Sequence, residues 1–300
     1  MKVEVGSAPF FFKRQQVVSR MTLFVTGATG RVGGALIAAM PKGSRVRAAF
    51  EKTAGTLNRS DLEWVPFSFE DQAGYARALG GVNTVFLMRP PQITDAKVFR
   101  PFLEAASRSG VERILLLSVK GAEHNPLLPH HGLEKLVKAS GIAWTILRPA
   151  DFMQNLETVH ADAIRFRSEI AVPAGRGRSA FIDVADIGTI AAGIVGEPSH
   201  GGRSYTLTGP EALSFLEVAQ ALTAVLGRTI TYRSPKAFDF WRDQTRRGVP
   251  SAMALVMTAL YTVQRLGLAA EVTEDAEKLL GRPPTPLSSY LERERHWWIV

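Results

Sequence analysis

The chain has 300 residues, a net charge of +8, 46% hydrophobic and 21% charged residues, and no cysteine. That balance supports a sizeable core and argues against global disorder, while the missing Cys excludes disulfides, thiolate metal sites, iron–sulfur clusters and cysteine nucleophiles. The longest nearly apolar stretch, 252–263, is shorter than the ~20 residues a spanning helix needs, and no basic stripe or motif points to nucleic acid. No His spacing suits a metal.

Residues 1–20 read as an N-terminal extension. Phe10, Phe11 and Phe12 precede Lys13 and Arg14, and no periodicity follows. The apolar run is too short for a signal-peptide core, and no small-residue cleavage site follows it. The expectation is a flexible extension or a docking arm, on a cytoplasmic protein that is a monomer or homodimer. From Met21 the pattern alternates. Strands are predicted over 22–26, 45–50, 62–67, 83–88, 113–118 and 143–147, and helices over 31–40, 71–79, 96–109 and 133–140. The run Ile114 to Leu117 is apolar on both faces, as in a parallel sheet covered on both sides. The fold class is therefore α/β, a doubly wound parallel sheet (Rossmann-like) with a smaller, mostly helical substrate lobe.

After Pro149 the rhythm changes. Strands are predicted at 181–184 and 204–207 around a helix at 185–194. Ser214 and Glu217 form a capping box for a helix through Leu226. A strand follows at 229–232, and 236–291 is mostly helical, broken at 281–284. The domain reading is a dinucleotide-binding domain over 21–150, with 181–208 returning to it, and a substrate lobe made of 151–180 and 209–300.

The sharpest motif is Gly27, Gly30 and Gly33 between the first strand and the first helix. Such a G-x-x-G-x-x-G lets the chain turn tightly, brings backbone amides to a pyrophosphate, and packs the helix close to the strand. Thr29, Arg31 and Val32 complete the loop, with Arg31 placed for a phosphate contact. Glu51, at the end of the second strand, is placed to accept the ribose hydroxyls of NAD; Lys52 and Arg47 point the other way, toward an NADP 2′-phosphate. The cofactor is NAD(H) or NADP(H), with a lean to NAD(H).

These residues resemble the NmrA-like branch of the atypical short-chain dehydrogenases/reductases, over about 21–295. Further landmarks are Ser68-Phe69-Glu70-Asp71, Val85 to Pro91, His130-His131-Gly-Leu-Glu134-Lys135, Ser140 to Pro149, Phe152-Met153-Gln154-Asn155, Phe181 to Asp186 and Tyr205 to Pro210. The resemblance implies that Ser68 and Phe69 edge the adenine pocket and that Leu87, Met88 and Arg89 carry a cofactor-facing loop. It places Ser118 at a ligand-facing strand end, Lys135 on the nicotinamide ribose, and Pro149 through Phe152 along the nicotinamide. Phe152, Met153 and Asn155 would begin the substrate pocket, with Lys120 a loop charge or an anion contact; Met153 suits a core equally well.

The family's relatives include azo-dye, triphenylmethane-dye and quinone reductases, and a regulator that binds nucleotide without turnover. The implied function is hydride transfer with a flat aromatic or quinone-type molecule, including a tailoring step on an aromatic polyketide; the alternative is a non-catalytic NAD(P) sensor. The general Tyr-x-x-x-Lys site is altered here, because His131 stands where the tyrosine would be. His131 or His130 can serve as acid or base, or both lie on a solvated helix start. In the second lobe, Phe238, Phe240, Trp241, Met253, Met257 and Tyr261 form either its core or a surface for a flat ring. His124, His160, His200 and His296 read as surface or structural.

Overall fold

The structure, a computed structural model, describes residues 21–299; the extension anticipated at 1–20 lies outside them. Two compact units form, one of residues up to Pro149 together with Ile187–Thr206, the other of Ala150–Asp186 and Leu207 onward.

The first unit is built on strands β1 (Thr22–Val25), β2 (Arg45–Phe50), β3 (Leu62–Pro66), β4 (Thr84–Met88), β5 (Arg113–Leu117) and β6 (Ala143–Pro149). They are joined by helices α1 (Arg31–Ala39), α2 (Tyr75–Leu79), α3 (Arg100–Arg108) and α4 (Pro129–Lys138). The sheet order is β3-β2-β1-β4-β5-β6, extended by β9 (Arg203–Leu207) beside β6. Neighbours from β3 through β6 pair in parallel. Consecutive parallel strands need helical crossovers, and both sheet faces are then covered. That is why β4 and β5 read as unbroken apolar runs: Val85, Phe86, Leu87, Ile114 and Leu116 have no exposed surface. The order reverses between β1 and β4, and in open α/β sheets ligands bind at the carboxyl ends of the strands at such a reversal.

One face carries an aromatic cluster in which Phe24, Phe67, Phe69, Tyr75, Phe99 and Phe102 meet mostly edge to face, the arrangement that ring quadrupoles favour. Helix α6 (Val184–Ile194) belongs to this unit from Ile187 on. Gly188 lets it come close to α1, since a Cβ there would lie 2.6 Å from the Ala35 carbonyl carbon.

The second unit contains α5 (Ala161–Arg167), β7 (Glu169–Ala171), β8 (Arg178–Ser179), β10 (Leu213–Ser214), α7 (Phe215–Leu226) and β11 (Thr231–Arg233). It ends in α8 (Ala237–Arg246), α9 (Ser251–Arg265), α10 (Asp275–Leu280) and α11 (Leu287–Arg293). The capping box at Ser214 and Glu217 forms. The strand anticipated at 181–184 does not. Asp183 accepts from the Ala185 amide, from Gln154 and from Arg293, so the chain turns into α6 and leaves one bridge, Ile182 with Phe152. Residues 181–186, expected with the sheet, accordingly fall in the second unit. Arg282 and the Thr285 amide hold Asp186 there in the same way.

Candidate active site

At the end of β1, Gly27 has a φ of +64°, and a side chain there would run into Met88 Cε at 2.1 Å. Its carbonyl accepts from the Gly30 amide at 2.9 Å. A Cβ on Gly33 would lie 2.3 Å from that same oxygen, so α1 rests on the turn backbone and only glycine fits. The neighbouring Thr26 accepts from the Met88 amide at 2.7 Å and donates to the Phe86 carbonyl at 3.1 Å, which ties the ends of β1 and β4 together at the reversal.

Gly30 is the N-cap of α1. No side chain caps the helix, and no acidic residue lies in its first turn. First-turn amides have no partner within a helix, so this end offers donors and positive dipole to an anion. Thr29 and Arg31 are exposed beside it. The cradle fits a pyrophosphate through its backbone, its missing side chains and the Arg31 charge. Val32 and Leu87, expected at the cofactor, are buried, so their side chains serve the core.

Glu51 and Lys52 are exposed just beyond β2. Arg47 is not available to a 2′-phosphate. Its Nη1 donates to the carbonyls of Ala78 and Gly80 at 2.9 Å, and its Nε donates to Glu63 at 3.0 Å. Phe69 is also corrected: its ring lies in the aromatic cluster, 4.7 Å from Phe99 and 5.2 Å from Phe102, because Tyr75 donates to the Phe69 carbonyl and locks the turn inward. Ser68 stays half-buried, and its hydroxyl accepts from the Glu70 amide.

A second cluster lies where β4, β5 and β6 end. Helix α4 carries His130, His131, Glu134 and Lys135. His131 Nδ1 is 2.8 Å from the Ala122 carbonyl. A carbonyl only accepts, so Nδ1 holds the proton and the Nε2 lone pair of the neutral ring is left as an acceptor. Nε2 is buried and has no partner among the described residues. An unmet buried acceptor costs about 1–3 kcal/mol. Lys135, one turn on, is exposed, and its ammonium has no ion pair among the described residues. Burial, helped by the nearby Arg89 charge, pulls His130 down to about 4, so this ring is neutral near pH 7 and is a poor proton carrier there. Arg89 folds back, Nη1 donating to the Pro90, Pro91 and Ile93 carbonyls; it braces its own loop.

The sequence reading missed what holds α4. Glu134 is buried and accepts from the Ser118 hydroxyl at 2.6 Å and from Arg148 Nε and Nη2 at 3.0 and 2.7 Å. Arg148 Nη1 reaches Glu123 at 3.2 Å. Burial works against the Glu134 carboxylate, but the Arg148 and Ser118 hydrogen bonds hold it below the usual range. Ser118, expected against a cofactor, instead spends its hydroxyl inside the fold. Lys120 follows with its amide on the Pro149 carbonyl at 2.9 Å, and Pro149 is buried at the end of β6.

Phe152, Met153 and Asn155 belong to the second unit. Met153 is 1% exposed in that unit's core, which removes it as a substrate contact; Phe152 and Asn155 are half-buried. Phe240 is core, with Met257 and Tyr261 packed against it, whereas Phe238 and Met253 are exposed. His160 is not a surface residue: it is buried, with Nε2 3.1 Å from the Tyr261 hydroxyl.

A reversal in strand order, a glycine cradle at an uncapped helix and a Lys one turn past the site's histidine define a dinucleotide-binding Rossmann-like protein. The model of the NmrA-like family matches residues 19–291, and the chain belongs to that family. It is similar to an NAD(P)H azoreductase from Xenophilus azovorans, 30% identical over 89% of this chain and 96% of the relative. It is also similar to the structure of an NADPH-dependent quinone oxidoreductase from Escherichia coli complexed with NADPH, 25% identical, with a TM-score of 0.80 over 91% of this chain and 99% of the other. The structure of NmrA, a negative transcriptional regulator in complex with NADP, shares the fold at 18% identity, with a TM-score of 0.74 over 92% and 95% of the two chains.

Proposed function

We propose that the protein is a reductase of flat aromatic acceptors of the quinone and dye type, and that the loop 27–33 and the start of α4 are its working parts. It is an NAD(P)-dependent oxidoreductase. The observation that carries the reading is one unit that holds an uncapped glycine cradle and, on α4, His131 and Lys135 one turn apart. A nicotinamide cofactor, when bound, supplies or takes the hydride.

The chain's own residues do the rest. Backbone amides at Gly30 and the start of α1 bind the pyrophosphate with Arg31, Glu51 and Lys52 meet the adenine-side ribose, and Lys135 holds the nicotinamide-side ribose. His131 Nε2 accepts a proton from a ligand hydroxyl, or returns one to a ligand oxygen once the ring is protonated. A quinone asks little of such a group, because water can protonate its oxygens, so orientation of donor and acceptor carries most of the rate.

The azoreductase is named for NAD(P)H, and the quinone oxidoreductase and NmrA structures hold NADPH and NADP, so the cofactor is a nicotinamide dinucleotide without a preference for NAD. Lys52 remains as the partner for a 2′-phosphate, with Glu51 opposing it. The test is consumption of NADH and NADPH with quinones, azo dyes and polycyclic aromatics of polyketide type. Turnover with any of them supports the reductase. Tight dinucleotide binding with no turnover across the panel would instead make the protein a sensor, the reading that the replaced tyrosine favours.

A further inference from the structure

His131 is held from two sides, and a single guanidinium reaches both. Its Nδ1–H donates to the Ala122 carbonyl, and the next residue, Glu123, is paired with Arg148 Nη1. Its own helix is anchored three residues on by Glu134, which accepts from the other two nitrogens of Arg148, Nε and Nη2. Arg148 is 8% exposed and Glu134 is 2% exposed, so neither is a solvated surface charge. The Ser118 hydroxyl completes the buried group.

We infer that Arg148 and Glu123 are positioning residues: Arg148 clamps the 118–123 loop to α4, and so fixes His131 as the Nδ1–H tautomer with Nε2 presented as an acceptor. This inference rests on the proposed reductase reading only for its kinetic consequence; the tautomer itself is a property of the unliganded protein. The physics is that of any ring whose second nitrogen is set by the hydrogen bond of the first. A planar guanidinium suits the task because its fork meets two carboxylates in fixed directions, which a lysine ammonium does not. The clamp also gives the ligand a chemical class. A neutral ring locked this way accepts and does not donate, so it pairs with a ligand that presents an O–H or N–H, such as a hydroquinone or phenol hydroxyl, in preference to an O-methylated analogue.

The test uses the full chain. Long-range proton–nitrogen spectra of 15N-labelled protein report the His131 tautomer, with His131→Ala identifying the signal. At a pH where the imidazole is neutral, the native protein should show the Nδ1–H tautomer and not the Nε2–H one. Glu123→Ala and Arg148→Lys should mix the two tautomers and lower kcat about tenfold, a modest misplacement effect. KM for the cofactor should stay within about twofold, since the phosphate loop is untouched. Glu123→Gln, which keeps an acceptor oxygen beside Arg148 at the same reach, should restore both spectrum and rate. Unchanged spectra in Glu123→Ala would overturn the clamp. If Arg148→Lys fails to fold, Glu123→Ala decides alone. If His131→Ala leaves turnover unchanged, the acid–base role falls, but the spectra still decide the clamp.

Discussion

The two working parts of the first unit, both at the carboxyl ends of its strands, work by opposite means. At the β1–α1 turn the chemistry lies in side chains that are missing: Gly27 and Gly33 let backbone lie against backbone, and Gly30 leaves a helix end open. At the start of α4 it lies in side chains that are present and pinned, through Ser118, Glu123, Glu134 and Arg148. A backbone cradle needs only local sequence and accepts any pyrophosphate. A side-chain site needs partners brought from distant strands, and it can be tuned one residue at a time.

The largest expected effect falls on the glycine end. Gly30→Val should abolish dinucleotide binding in calorimetry and leave the melting midpoint near native. Gly30 has ordinary extended backbone, and an added Cβ would meet the Gly27 carbonyl at a tight but tolerable 3.2 Å. Gly33→Val should fail differently, by unfolding, because the backbone it meets cannot give way. If Gly30→Val binds normally, the cradle is a structural turn and the contrast collapses.

At the α4 end the stake is stability. Glu134→Ala leaves the buried Arg148 guanidinium with Glu123 as its one carboxylate partner among the described residues and should cost about 3 kcal/mol, the low end for breaking one side of a buried pair. Glu63→Ala removes a partner of Arg47 at an exposed pair, with the Glu63 side chain 62% exposed, and should cost at most about 1 kcal/mol. Urea midpoints compare the two directly. Equal losses would mean that the buried network holds nothing that a surface pair does not.

The histidines extend the comparison into the second unit. His131 leaves one nitrogen open, whereas His160 has its Nε2 beside the Tyr261 hydroxyl, and burial pulls that ring down to about 4 from 6.5. Because the folded value is the lower, the unfolded chain takes up the proton first as pH falls. Stability is therefore whole above about 6.5 and declines toward pH 4. The contribution is about 3 kcal/mol at one unit per 1.36 kcal/mol. His160→Gln should flatten that slope in denaturant titrations between pH 7 and 4. An unchanged slope would place the acid sensitivity in other groups, His130 among them.

What could be read from the sequence follows the same division. The glycine triplet and the apolar strands β1, β4 and β5 are local signals, and they stand where the pattern put them. Glu134 and Arg148 sit 14 positions apart, and Ser118 sits 16 from Glu134; only the parallel pairing of β5 with β6 brings them together, so no spacing rule marks them. Arg47 looked like a phosphate ligand because its position on β2 is right, and only the structure shows its guanidinium caught by the α2 carbonyls. Phe69 and Met153 misled for a related reason. Apolar residues beside a motif look like pocket walls until the core claims them.

The smallest effect is at the second-strand end, and it tests whether that surface belongs with the cradle or with the tuned site. Glu51 and Lys52 are both exposed, so each acts through water and salt screens it. A carboxylate beside a 2′-phosphate is repulsive, and an arginine there is a bidentate partner. Glu51→Arg should improve the ratio of NADPH to NADH kcat/KM about tenfold, or about 1.4 kcal/mol. Lys52→Ala should lower the same ratio by less, and added salt should shrink both changes. The kinetic ratio at two ionic strengths checks this. If Glu51→Arg leaves the ratio unmoved while Lys52→Ala removes NADPH activity, Lys52 sets cofactor choice unopposed and Glu51 is a solvated strand-end charge.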